Sequence, residues 1–112
     1  MSLDDLLPEV FLKADRIFVD DWKLIKSDSR RCLGKMYREG QIVGPRDPGA
    51  EDGLRRIDGE IADVVLSTHP GRRSSEEIIV VNPFGLAIED VAFASRIFEL
   101  AKDRGAGVLL SR

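Results

Sequence analysis

The clearest hydrophobic pattern of the chain lies between residues 87 and 104. Apolar side chains recur there at helical spacing in two neighbouring stripes, which are Ala87, Val91, Ala94, Phe98 and Ala101, and Phe93, Ile97 and Leu100. The pattern predicts one long helix whose wide apolar face is buried against more than one element. Lys102 and Arg104 carry charges that favour a helix carboxyl end, and Gly105 is a typical residue just beyond it.

A continuous β-branched run, Ile78 to Val81, precedes this helix and predicts a strand covered on both faces. The residues that follow are Asn82, Pro83, Phe84 and Gly85, and they predict a turn at the end of the strand. In open α/β sheets a turn of this kind binds nucleotides or substrates, because free backbone N–H groups meet the positive end of a helix dipole there. These four residues are therefore the candidate site.

The rest of the chain alternates shorter patterns with turn residues. They predict, in order, a helix over residues 3–14, a strand over 17–19, a helix over 22–39 interrupted near Gly34, a mobile loop over 44–53, a helix over 58–67 capped by Asp58, a turn over 69–75, the strand over 77–81 and a final strand over 108–110. Strands that alternate with helices in this way indicate an α/β fold.

Composition narrows the class of protein. A chain of 112 residues with 43% hydrophobic residues can build one core. A net charge of −3 gives no general attraction to nucleic acid or to anionic membranes. No apolar run reaches the roughly 18 residues needed to span a bilayer, and the acidic start does not fit a signal peptide. Cys32 is the only cysteine, so we expect no internal disulfide, a buried thiol and a cytoplasmic location.

Two groups of basic residues have two open interpretations each. The first group is Arg30, Arg31, Lys35 and Arg38, which forms either a solvated helix face or a phosphate-binding patch. Arg72 and Arg73 either hold an anion or form a surface turn. The solvated face and the surface turn are favoured because they are the commoner arrangements.

Acidic residues and the single histidine offer weaker candidates. Glu89 and Asp90 lie in the first turn of the long helix, where carboxylates stabilise the helix dipole, and this role is favoured over acid–base catalysis. Asp20 and Asp21 end a strand, and they either border a cleft or cap the next helix. His69 has no second ligand nearby in the sequence, so we expect no metal site.

Five segments, taken in order, resemble the ornithine cyclodeaminase and mu-crystallin family. They are ADRIFVDDW from Ala14, KMYREGQI, GEIADVV, HPGRRSSEEI and GLAIED. Within the family, the turn formed by Asn82, Pro83, Phe84 and Gly85 is most similar to the turn of the branch that makes 2,3-diaminopropionate precursors. The resemblance implies that residues 1–85 are the last strands and helices of a Rossmann-type dinucleotide-binding domain. It also implies that residues 86–112 are a helix and strand returning to the substrate and dimerisation domain.

Two features of the family have no counterpart in the chain: the glycine-rich G-x-G-x-x-G turn and the catalytic aspartate. The resemblance thus implies the carboxy-terminal portion of an NAD(P)-dependent amino-acid dehydrogenase or cyclodeaminase, without a catalytic residue of its own. It would bind NAD(H) or NADP(H) only with an amino-terminal part. Its expected partners are itself or a polypeptide supplying that part, and an amino-acid-like small molecule. The alternatives are a non-catalytic cofactor-binding or scaffold protein of the mu-crystallin type, or a truncated remnant.

Overall fold

The computed structural model describes residues 6–48, 53–108 and 110. Helices and strands alternate along these residues. In chain order the elements are α1 (Pro8–Lys13), β1 (Arg16–Val19), α2 (Trp22–Ser27), α3 (Cys32–Arg38), β2 (Ile42–Val43), β3 (Arg55–Arg56), β4 (Gly59–Glu60), α4 (Ile61–Val65), β5 (Ile79–Asn82) and α5 (Ala87–Asp103). No helix among the described residues is both long and apolar enough to cross a bilayer.

The main sheet has three parallel strands in the order β4-β1-β5. Val19 at the end of β1 lies opposite Glu60 on one side and Asn82 on the other. Because the strands are parallel, their carboxyl ends share one edge of the sheet, which is the edge that binds ligands in open α/β folds. β2 and β3 form a second, two-stranded parallel pair. The predicted α/β class is confirmed.

The core forms where α1, α2 and α3 meet the central strand. Its largest fully buried side chains are Phe11, Ile17, Val19, Ile25, Leu33, Met36, Ile42 and Ile57. All three apolar residues of β1, from Ile17 to Val19, are buried although successive strand residues point to opposite faces. β1 is therefore covered on both sides, as expected for a central parallel strand.

The helix predicted over residues 22–39 is two helices, and the break does not lie at Gly34. The chain turns between Ser27 and Cys32, where the backbone N–H of Arg30 donates to Oδ1 of Asp28 at 2.7 Å. Gly34 lies inside α3, and a Cβ there would overlap the carbonyl oxygens of Ile25 and Asp28. The glycine permits close approach of the two helices rather than interrupting one.

The predicted cap at Asp58 is wrong. α4 begins at Ile61, and its N-cap is Glu60, which forms a reciprocal capping box with Asp63. The two residues of β4 separate Asp58 from the helix. Asp58 instead accepts hydrogen bonds from the backbone N–H of Ile17 at 2.8 Å and from Arg55 at 3.1 Å. It therefore joins the start of β1 to the segment before β4.

The ends of the predicted helices and loops shift in two other places. α1 begins at Pro8, and residues 3–5 of the predicted helix lie outside the described residues. The described part of the predicted mobile loop is tied to β3, because the Arg56 guanidinium donates to the carbonyl oxygens of Gly44 at 2.6 Å and Asp47 at 2.8 Å. Residues 49–52 of that loop are also outside the described part of the chain.

The burial predicted for the last elements is not found within the described chain. In β5, Val80 is buried but Val81 is 52% exposed, because β5 is an edge strand covered on one face only. α5 has no buried residue, and its Phe93 is 74% exposed. The radius of gyration is 18.1 Å, against about 13 Å for a compact domain of this length. The apolar face of α5 is therefore unpartnered by the described residues.

The final strand predicted over residues 108–110 is not seen at the described positions Val108 and Leu110, which are exposed and outside regular structure. A strand needs a neighbouring strand to complete its hydrogen bonds, and no described strand pairs with these residues. The helix before them ends as predicted, with Arg104 at the C-cap and Gly105 at φ +62°.

Candidate functional site

Of the predicted site residues, Asn82 ends β5 and Pro83, Phe84 and Gly85 follow it, at the carboxyl edge of the sheet and beside the end of β1. Asp20, the residue after β1, accepts hydrogen bonds at one oxygen, Oδ2, from the backbone N–H groups of Phe84 and Gly85, each at 2.7 Å. The Asp20 side chain is buried, and the residue is 9% exposed. We call this arrangement the Asp20 clamp. It holds the turn against the sheet by two charge-assisted hydrogen bonds.

The two acids at the end of β1 have separate roles. Oδ1 of Asp20 accepts from the backbone N–H of Asp21 at 2.9 Å, which orients the Asp20 carboxylate. Asp21 is the N-cap of α2, and its Oδ1 accepts from the N–H of Leu24 at 3.0 Å. The helix-cap interpretation that the sequence left open therefore applies to Asp21, whereas Asp20 holds the turn after β5 and its position beside a cleft stays a prediction.

Arg31, at the N-cap of α3, holds the turn from its other side. Its guanidinium carbon lies 4.2 Å from the centre of the Phe84 ring, and Nη2 donates to the Phe84 carbonyl oxygen at 3.4 Å. Phe84 is half-buried and packs against the core. The backbone N–H, carbonyl and ring of Phe84 are thus all held, by residues more than fifty positions away.

Gly85 leaves an open surface at the turn. Its φ is +90°, and no heavy atom lies within 4 Å of the position that a Cβ would take. A flat ring can therefore approach the backbone at this residue. The N–H groups of Phe84 and Gly85 are not free, contrary to the expectation from the sequence, because Asp20 occupies both. The turn therefore leaves room for a flat group beside Gly85, whereas the N–H pair of Phe84 and Gly85 is not available to a phosphate.

A cavity of about 180 Å³ lies at the end of β4. Its walls are formed by Trp22, Lys26, Pro45, Arg46, Asp47, Glu60 and Asp63. Glu60 accepts from the backbone N–H of Trp22 at 2.8 Å, and Arg46 forms an ion pair with Asp63 at 3.4 Å. The Trp22 indole N–H has no hydrogen-bond partner among the described residues. The cavity is smaller than the roughly 300 Å³ at which ligand pockets begin.

The first basic group has intramolecular partners. Arg30 pairs with Asp28 at 3.4 Å, and Lys35 pairs with Glu39 at 3.9 Å. Arg38 donates to the carbonyl oxygens of Lys26 at 3.2 Å and Asp28 at 2.8 Å. Together with the contact between Arg31 and Phe84, these interactions favour structural roles and a solvated face over a phosphate-binding patch.

The remaining candidates also have local roles. Arg72 donates to the carbonyl oxygen of Glu77 at 2.6 Å, as expected for a surface turn. His69 accepts through Nδ1 from the N–H of Gly71 at 3.0 Å, and its ring lies edge-on to Phe18 with centroids 5.0 Å apart. No three potential metal ligands cluster within the described part of the chain. Cys32 is buried, as predicted, with its Sγ 3.7 Å from Sδ of Met36.

The strongest charge interactions lie at the opposite edge of the sheet. Arg16 begins β1 and donates to Oε1 of Glu77 at 3.0 Å and 2.9 Å, and it also pairs with Asp58 at 3.3 Å. Hydrogen bonds from the Arg16 guanidinium and from the backbone N–H of Arg73 lower the pKa of Glu77 to about 2. The hydrogen bond to Glu77 raises the pKa of Arg16. This network joins the amino ends of β1 and β5 and lies away from the candidate site.

Comparison with known proteins places this arrangement in a family. The sequence profile described as the ornithine cyclodeaminase/mu-crystallin family matches residues 5–105. The chain belongs to the ornithine cyclodeaminase/mu-crystallin family. The resemblance seen in the five sequence segments is thereby confirmed.

Relatives and a solved structure of the ornithine cyclodeaminase/mu-crystallin family match much of the chain. It is 31% identical over 111 residues to N-((2S)-2-amino-2-carboxyethyl)-L-glutamate dehydrogenase of Staphylococcus aureus, covering 99% of the chain and 30% of that protein. It is 36% identical over 96 residues to alanine dehydrogenase of Archaeoglobus fulgidus, covering 86% of the chain and 26% of that protein. The crystal structure of CmnK superimposes with a TM-score of 0.73 at 34% identity, covering 97% of the chain and 29% of CmnK. The chain spans less than a third of these proteins.

Proposed function

We propose that this chain forms the carboxy-terminal portion of an NAD(P)-dependent amino-acid dehydrogenase or cyclodeaminase, and that it acts together with the remainder of the family fold. The observation that carries the proposal is the clamped turn with an open glycine face at the carboxyl edge of a parallel sheet. The names of the two relatives, both dehydrogenases of amino acids or amino-acid derivatives, support the same reaction class and an amino-acid-like substrate.

In this proposal, Asn82, Pro83, Phe84 and Gly85 contact the nicotinamide side of NAD(H) or NADP(H). Pro83 has no hydroxyl and no backbone N–H, so the contact is made by the backbone and by the open face of Gly85. The bound cofactor supplies hydride acceptance and return, and the chain positions it. The 112 residues contain no G-x-G-x-x-G turn to bind the diphosphate. That contact, and the catalytic acid of the family, must come from the amino-terminal part of the fold.

The partner surface proposed for this assembly is α5. Its apolar stripes are exposed along the helix, and exposed apolar patches of this extent are typical of interaction surfaces. We assign residues 1–85 to the nucleotide-binding domain and residues 86–112 to the contact with the substrate and dimerisation domain. A cytoplasmic location is part of the same proposal and rests on the single buried Cys32.

Calorimetric titration with NADH tests the proposal. We expect the 112-residue chain alone to bind weakly or not at all, and its complex with the amino-terminal part to bind in the micromolar range, about −8 kcal/mol. The same complex should transfer hydride with amino-acid substrates, followed by the absorbance of reduced nicotinamide. Tight binding by the chain alone would contradict the need for a second part. Binding by the complex without turnover would favour the alternative, a non-catalytic cofactor-binding protein of the mu-crystallin type.

A further inference from the structure

An internal carboxylate fills the position that a ligand anion would take at the turn before α5. Backbone N–H pairs ahead of a helix commonly bind phosphate or carboxylate groups. Here the N–H groups of Phe84 and Gly85 both donate to Oδ2 of Asp20 at 2.7 Å, and Asp20 is buried. Any phosphate at this turn would have to displace the Asp20 carboxylate and leave it buried without these two donors. Leaving a buried charge unpaired is strongly unfavourable.

The acidic residues near the turn also disfavour an anion, and the nearby cation is engaged with Phe84. Glu89 and Asp90 lie in the first turn of α5, and their carboxylates add negative charge at the helix amino end beside the clamp. Arg31 is the cation held at the turn, and its guanidinium lies over the Phe84 ring and donates to the Phe84 carbonyl. The turn thus presents the open face of Gly85 to solvent, while the N–H pair of Phe84 and Gly85 is occupied by Asp20.

We propose that Asp20 is a positioning and specificity residue of the turn. It holds Phe84 and Gly85 in the geometry that receives a flat ring without negative charge, and it excludes anionic groups of the ligand from that position. The inference rests on the proposed function, in which this turn contacts the nicotinamide. It adds that only the nicotinamide ring of the cofactor contacts this turn and that the cofactor phosphates are bound elsewhere.

The first test uses the 112-residue chain and inorganic phosphate as the probe. Amide hydrogen exchange and phosphate titration are followed by NMR at Phe84 and Gly85. We expect Asp20→Ala to speed exchange at both amides about tenfold or more, since each loses a charge-assisted hydrogen bond. In the same variant phosphate should shift both amides, whereas the parent chain should not respond. A phosphate response at these amides in the parent chain, or unchanged exchange in Asp20→Ala, would overturn the proposal.

Two further variants make this test decisive. Asp21→Asn makes the same kind of change one residue away and keeps a good N-cap for α2, so it should behave like the parent chain. Asp20→Asn keeps the side-chain volume and one acceptor oxygen while removing the charge. It should give intermediate exchange and an intermediate phosphate response. If Asp20→Ala does not fold, Asp20→Asn decides the result by the same criteria.

The second test measures hydride transfer by the complex with the amino-terminal part. If Asp20 positions the turn, Asp20→Asn should lower kcat about tenfold while the KM for the cofactor changes less than about twofold, because the phosphates are anchored elsewhere. Asp21→Asn should match the parent complex. An active parent complex with equal kcat in Asp20→Asn would overturn the positioning role. If the parent complex transfers no hydride, the proposed function fails, whereas the amide and phosphate measurements still decide the clamp.

Discussion

Arg16 and Glu77 join the first residue of β1 to the segment that leads into β5. Nε and Nη2 of Arg16 both donate to Oε1 of Glu77, at 3.0 Å and 2.9 Å, across 61 residues of sequence. The second oxygen of Glu77 accepts from the backbone N–H of Arg73 at 2.6 Å. The pair therefore connects the start of β1 to the segment before β5, and it ties the turn over residues 69–75 to the sheet.

This pair predicts how stability depends on pH. The pKa of Glu77 falls from an ordinary value of 4.5 to about 2 in the folded chain, mainly because Arg16 donates to its carboxylate. A group with a lowered folded pKa stabilises the fold fully above its unfolded pKa, and that stabilisation is lost as the pH falls through the folded pKa. We expect the melting temperature to fall between about pH 4.5 and 2. Calorimetry across this range measures the effect.

Glu77→Gln should lower the melting temperature at pH 7 and flatten its dependence on pH in the same window, because the variant has no carboxylate to protonate. Glu76→Gln is the matched control. Glu76 is exposed and accepts only from the Ser75 hydroxyl at 3.1 Å in the contacts described. Its variant should retain the parent pH dependence. If the melting temperature of Glu77→Gln falls with pH as steeply as that of the parent chain, other carboxylates control acid unfolding.

Gly34→Ala should destabilise the chain despite its position inside a helix. Alanine favours a helix over glycine by about 1 kcal/mol, but the new Cβ would overlap the carbonyl oxygens of Ile25 and Asp28. Backbone atoms cannot rotate away, so the overlap should dominate, with a net loss of about 2 kcal/mol. Urea denaturation measures this change in the free energy of unfolding. Lys35→Ala, at the next and exposed position, should change stability by only about 0.5 kcal/mol. A stabilised Gly34→Ala would mean that α2 and α3 separate easily.

Gly85→Val should reduce both stability and activity. No neighbour would touch the new Cβ, so the loss of stability comes from the backbone angle, φ +90°, and should be about 1–3 kcal/mol. In the complex, the side chain would also cover the open face that we propose receives the nicotinamide ring, so hydride transfer should fall more than the loss of stability explains. Thermal unfolding measures the loss of stability, and steady-state kinetics measure the loss of hydride transfer.

Arg73→Ala is the control for this substitution. The bond from Arg73 to Glu77 uses the backbone N–H, so the variant keeps it and should change stability by about 0.5 kcal/mol or less. Full activity in Gly85→Val, together with loss of activity in Arg73→Ala, would move the site to the turn over residues 69–75.

The exposed face of α5 predicts self-association of the 112-residue chain. Sedimentation should show species larger than a monomer, because Phe93, Ile97 and Phe98 are each more than half exposed. Phe93→Lys should shift the distribution towards monomer by placing a charge within the apolar face. Glu99→Lys, on the polar side of the same helix, should leave association unchanged. A monomeric parent chain that melts cooperatively would contradict the prediction.

Local patterns predicted the elements that depend on neighbours in sequence. The bounds of α5 agree within one residue of the prediction, since a helix of 17 residues repeats its apolar spacing several times. β1 was also predicted, because three buried apolar residues are bounded by polar ones. β2, β3 and β4 were missed. Each has two residues, and its existence depends on a parallel partner distant in sequence rather than on a local pattern.

The sequence alone was sufficient to predict the α/β class, the family and the position of the candidate turn. These predictions depend on hydrophobic periodicity, on the positions of glycine and proline, and on the order of motifs, all of which can be read along the chain. Only the tertiary structure showed which residue holds the turn in place. The register that sets Val19 opposite Asn82 brings Asp20 to the N–H groups of Phe84 and Gly85, 64 and 65 residues away. A short polar side chain reaches such donors only when the strands are aligned to within one residue, and no spacing in the sequence encodes that alignment.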